Sequence, residues 1–211
     1  MSALVAIEAY LARQPFVTLG FGATNFFLRF ASSAFESFTE IFFAGMSIEI
    51  MALYLFQSAS GALYWHLGIL LASFMFGLAV GSFPNPFTQK QNQRRRLLIA
   101  AGLLTLLSLG VSFHVDQLLT ISHPLILFTA LLFLTGFLVG TAFVAAALSV
   151  PEKTGILYAA DLWGSALGAL ATGTFLVPII GFKNSSLLIA AGLFLAISLF
   201  IGARSLQTRR S

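Results

Sequence analysis

The sequence predicts an all-α polytopic membrane bundle of six transmembrane helices, with an interfacial N-terminal segment and both termini cytoplasmic. Three observations lead there. Of 211 residues, 58% are hydrophobic and only 9% charged, against roughly a quarter charged in a soluble domain. Mean hydropathy is +0.95. Six stretches also reach or approach the ~20 apolar residues that a bilayer crossing needs: 36–57, 62–83, 97–115, 124–150, 155–178 and 186–204.

Residues 1–35 are read as an interfacial segment. "FVTLGFGATNFFLRF" is aromatic, but Arg13 and Arg29 leave too little apolar length between them for a span, so a helix lying along the leaflet is expected. The alternatives are a re-entrant segment or a seventh span over 15–34, the latter of which would reverse one terminus. With Glu8 and Arg13 in its first 13 residues, the start does not read as a secretory signal.

Within the first span, Gly45, Glu49, Leu53 and Gln57 recur every four residues and share one face. Glu49 falls near the middle of 36–57. A mid-span carboxylate is costly to bury, so a functional role and a structural pairing are both open for it. The second span, 62–83, carries Ser73, Gly77 and Gly81 at the same interval. Such small-residue stripes let helix backbones approach closely where the bilayer supplies no hydrophobic drive.

Between the second and third spans lies "PNPFTQKQNQRRR", whose prolines end one helix and whose Arg94, Arg95 and Arg96 open the next. The fourth span, 124–150, repeats the small-residue device with Gly136 and Gly140. The fifth, 155–178, carries Ala160, Gly164, Gly168 and Thr172 on one stripe, and Asp161 beside it. Asp161 lies seven residues into the span, ~10 Å along the axis. That is the shallow third, where a proton- or cation-handling role competes with a structural carboxylate bonded to a helix end or to the 94–96 arginines. A sixth span, 186–204, and a basic tail, 205–211, complete the chain.

Orientation follows from the cations. With six spans, one face holds Arg13, Arg29, Lys90, Arg94, Arg95, Arg96, Lys153, Arg204, Arg209 and Arg210, and the other holds Lys183 alone. Basic residues collect on the cytoplasmic side, so the net charge of +4 is assigned to orientation and not to nucleic-acid binding.

Functional residues are sparse. The chain has no cysteine, which removes disulfides, thiolate metal sites and thiol nucleophiles. His66, His114 and His123 lie toward one side but at no metal-ligating interval, so interfacial histidine is the plain reading and no metal or cofactor is expected. Tyr54, Tyr64, Trp65 and Tyr158 fit interfacial anchors or packing. The intramembrane polar site expected is Glu49, Gln57, Tyr158 and Asp161.

Two stretches carry a family likeness. "EIMALYLFQSASGALYWHLGILLASFMFGLAVGS" (49–82) and "GILYAADLWGSALGALATGTFLVPIIGF" (155–182) resemble the membrane region of bacterial membrane-bound spermidine synthase-like proteins. Glu49, Gln57, Gly61, Tyr64, Gly77, Gly81, Tyr158, Asp161, Gly164, Gly168 and Pro178 carry the likeness, which covers roughly 36–204. In that family a soluble domain with a glycine-rich acidic loop performs aminopropyl transfer, and no stretch here is polar enough to form it. The resemblance therefore implies a six-helix unit without that enzymatic activity, similar to half of a major-facilitator-type transporter. The arginine-rich 84–96 loop looks like a degenerate form of the transporter loop and lacks its usual Asp.

Two functions follow as expectations. One is a non-catalytic subunit of the bacterial inner membrane, anchoring or scaffolding other membrane subunits, or a second copy of itself, through its small-residue faces. The other is a half-transporter moving a small cationic or amine solute as a dimer, past Glu49 and Asp161.

Overall fold

The computed structural model describes residues 33–61, 64–83, 93–120, 124–149 and 154–207, and every element among them is helical. The expectations for 1–32 and for the last residues of the tail, 208–211, lie outside this set. In chain order the helices are α1 (Ser33–Ser60), α2 (Tyr64–Gly81), α3 (Gln93–Leu119), α4 (Pro124–Ser149), α5 (Thr154–Ala171, continuing as a π-helix over Thr172–Ile180) and α6 (Phe182–Gln207). The first five are long and apolar enough to cross a membrane; the apolar stretch of α6, Phe182–Ser198, is shorter. The chain is an integral membrane protein by the length and composition of these helices.

Local chemistry sets the ends. α1 stops at Gly61, whose φ of +69° suits a residue without Cβ and whose N–H donates to the Gln57 carbonyl at 3.0 Å, the usual left-handed helix cap. Gly181, φ +84°, separates the π segment from α6 and donates to the Val177 carbonyl at 3.1 Å. α6 therefore begins at Phe182, four residues ahead of the apolar stretch that the sequence delimits. α3 likewise extends to Gln93 and Leu119, because its polar ends continue the helix beyond its apolar middle.

α1 is the central helix, packed against α3, α4, α5 and α6. α2 lies against α4 and α5 against α1, each leaving most of its surface exposed. Glycines build both of these seams. A Cβ on Gly164 or Gly168 of α5 would run into the carbonyls of Thr39 and Phe43 on α1. A Cβ on Gly77 or Gly81 of α2 would run into those of Phe133 and Phe137 on α4, and one on Gly136 or Gly140 into the carbonyls of Phe74 and Leu78. Both seams join parallel helices, since residue numbers rise together along them. The stripes of α2, α4 and α5 thus spend their small residues within the chain.

The two seams are equivalent under exchange of α1–α3 with α4–α6. Thr39 corresponds to Phe133 and Phe43 to Phe137, and the same offset carries Gly45 onto Val139. Gly45 and Val139 face each other across α1 and α4, which run antiparallel, since the Phe42 ring lies against that of Phe143 and the Phe56 ring against that of Phe128. Ser108 of α3 and Ser186 of α6 likewise pair with each other. This is the packing pattern of two three-helix units in inverted orientation, with a pseudo-two-fold axis through the Gly45–Val139 and Ser108–Ser186 contacts.

Candidate functional site

Two apolar cores stack along the bundle. One gathers Ile41, Phe42, Ile48, Leu97, Leu104, Leu138, Ala142, Leu157 and Leu193. The other gathers Met51, Leu55, Phe56, Leu70, Phe74, Val111, Phe128, Leu132 and Val177. At the boundary between them on each helix, or within a turn of it, lie nearly all the buried polar side chains: Ser47 and Glu49 on α1, Thr105, Ser108 and Ser112 on α3, Thr135 on α4, Thr172 on α5, and Ser185 and Ser186 on α6. Five of the six helices therefore contribute to one polar layer at mid-bundle.

Most hydroxyls in this layer are committed. Ser47 donates to the Gly168 carbonyl (3.3 Å) and Ser112 to that of Lys183 (3.0 Å). Thr105 and Thr135 donate back to Ala101 and Leu131, each at 2.9 Å. Ser185 bonds the Gly181 carbonyl at 2.7 Å. These bonds tie α1 to α5 and α3 to α6, and they satisfy groups that would be costly to bury alone.

Glu49 is the exception. It is the one carboxylate in the layer, 1% exposed, and its Oε2 has no hydrogen-bond partner. It stands one turn beyond Gly45, beside the pseudo-two-fold axis. The antiparallel register of α1 and α4 sets it level with Thr135. The residue related to it by the pseudo-symmetry is Phe143, so the acid belongs to one repeat only. Thr172 Oγ1, on the seam that α5 makes with α1, is also buried without a partner.

The other residues of the expected polar site do not converge on Glu49. The α1–α5 register that pairs Gly164 with Thr39 sets Asp161 level with Glu36, thirteen residues and ~20 Å of helix axis away from Glu49. Asp161 is half-buried on the flank of α5, where the Ser165 hydroxyl donates to it at 3.4 Å. Tyr158 is exposed, a turn further from the layer. Gln57 is half-buried at the far end of α1, two turns past Glu49. The sequence already sets Glu49 near mid-span and Asp161 in the shallow third of its span, and the α1–α5 register widens that separation.

The layer's hydroxyls are what sequence reasoning missed. Ser and Thr at 47, 105, 108, 112, 135 and 186 are scattered among apolar neighbours, and only their common position near the boundary of the two cores identifies them. Among the described residues no three His, Asp or Glu side chains come together as a metal site. No protein-family model, curated protein or solved structure matches this chain.

Proposed function

We propose that this chain moves a small cationic solute across a membrane, with Glu49 as the carboxylate that receives it. The observation that carries this reading is the burial of an unpartnered Glu49 in a polar layer at the interface of two inverted three-helix units. An ionisable group at bilayer depth normally marks a pathway or relay. Transporter folds built from inverted repeats place their sites near the midplane where the repeats meet. The likeness to half of a major-facilitator-type transporter is in keeping with this, and a dimer supplies the second half against which such a unit rocks. In this reading Asp161 is not part of the Glu49 site. The arrangement in the bacterial inner membrane is six spans, α6 included, with both termini cytoplasmic, as the cation distribution supports. Purified protein in sealed vesicles should take up a polyamine or another small amine, and Glu49→Gln should abolish uptake. Absence of flux across a panel of such solutes would refute the proposal.

A second reading is a non-catalytic subunit of a larger membrane complex. The glycine seams are closed within the chain, so the docking surface would be the exposed faces of α2 and α5. The half-buried Asp161 on the α5 flank favours it, since a carboxylate there gains from a partner donor. Purification from native membranes in mild detergent tests it. Recovery of this chain by itself would count against a subunit role.

A further inference from the structure

Resting on the reading of Glu49 as the solute-receiving carboxylate, we infer that Glu49 holds a proton whenever no solute occupies it, so that movement of the solute is coupled to proton exchange. The argument is one of hydrogen-bond supply. An ionised carboxylate is acceptor-only, with about four lone-pair positions to satisfy. In the layer around Glu49, the hydroxyl hydrogens of Ser47, Ser108, Ser112 and Thr135 are all given to backbone carbonyls. Thr172 is the one buried hydroxyl of the layer left without a partner. Among the layer's hydroxyls an ionised Glu49 therefore finds at most one uncommitted donor, and its Oε2 has no partner.

A proton needs only the carboxylate oxygen it sits on and one acceptor for the resulting O–H. Helix carbonyls in this layer already accept second bonds from side-chain hydroxyls, as Gly168 and Ser186 show.

Competing charges are distant. α4 carries no titratable residue, and α3 carries none from Leu97 to Phe113. α5 brings Tyr158 and Asp161, both far along the axis. α6 brings Lys183 and Arg204 at its two ends, α2 has Tyr64 and His66 in its first turn, and α1 has Glu36 and Glu40 near its start and Tyr54, whose hydroxyl is given to the Gly173 carbonyl. The step is a plain exchange: the Glu49 carboxylate takes a proton from hydronium, giving the carboxylic acid and water, and returns it to water in reverse.

Infrared difference spectra of the protein in lipid nanodiscs, recorded across a pH series, test this directly. An un-ionised carboxyl C=O band should grow as pH falls, vanish in Glu49→Gln and persist in Asp161→Asn. Adding spermidine to wild type at fixed pH should diminish the band, as the solute takes the place of the proton. A band absent from wild type, retained in Glu49→Gln, or untouched by spermidine would overturn the inference. If Glu49→Gln fails to fold, the cation competition on wild type decides alone. Vesicles without solute flux but with the Glu49 band would sink the transport reading and leave the proton site standing. Flux lost in Glu49→Gln with no un-ionised carboxyl band at any pH would do the reverse.

Discussion

Ser108 and Ser186 bond each other reciprocally: the Ser108 hydroxyl donates to the Ser186 carbonyl at 2.9 Å, and the Ser186 hydroxyl returns the bond to the Ser108 carbonyl. Both side chains are fully buried. A reciprocal pair between antiparallel α3 and α6 is what a two-fold relation between the helices requires, and it locks their register at mid-bundle.

The pair should behave as one unit. Inter-helix hydrogen bonds in membranes are worth ~0.6 kcal/mol on average, up to ~1.7. Ser108→Ala and Ser186→Ala should each destabilise by about that much, and the double variant by less than their sum. A double-mutant cycle on thermal unfolding in detergent measures the coupling, and strictly additive losses would contradict it.

The glycine seams make a matched prediction for the two repeats. Gly168→Ala forces a methyl against the Phe43 carbonyl, and Gly77→Ala forces one against that of Phe133. Backbone cannot yield as a flexible side chain can, so each should cost about 1–3 kcal/mol. Gly192→Ala, where a Cβ meets nothing within 4 Å, is the neutral control. Melting followed by size-exclusion chromatography should show both seam variants lowered and Gly192→Ala unchanged.

These seams also show what the sequence made legible. The four-residue recurrence of Gly164 and Gly168, or of Gly77 and Gly81, identifies close helix contacts because glycine at that interval makes a flat ridge. It does not say which helix is met. That the stripe of α2 meets the stripe of α4, while that of α5 meets Thr39 and Phe43, depends on tertiary packing with no local trace. The six apolar stretches were readable from hydropathy, whereas their ends were set by Gly61 and Gly181, whose positive φ is a backbone property. The inverted repeat left no visible sequence signal, since Glu49 is matched by Phe143 and Gly45 by Val139.

The π segment gives a rescue test. A π-helix bonds each N–H to the carbonyl five residues back, and Pro178 has no N–H to give, which leaves the Gly173 carbonyl open. Tyr54 of α1 fills it, its hydroxyl donating at 3.2 Å. Tyr54→Phe should therefore cost about 0.5–1.5 kcal/mol. Pro178→Ala restores a backbone donor and should suppress most of that loss. Equal destabilisation by Tyr54→Phe in both backgrounds would show that the two residues are not coupled.

Asp161 and Glu49 should separate functionally as they do spatially. With ~20 Å of helix axis between their levels, Asp161→Asn should leave solute uptake near wild type while Glu49→Gln removes it. Equal loss in both variants, measured in the same vesicle preparation, would argue for a single shared site.

Accessibility of position 49 bears most directly on the central claim. The native chain has no cysteine, so Glu49→Cys introduces a single thiol without background. In sealed vesicles that thiol should react with a small cationic, water-borne thiol reagent and be protected by the transported amine. Reaction with a lipid-dissolved reagent alone, or no reaction with either, would mean that Glu49 faces hydrocarbon or a dry core and receives no solute.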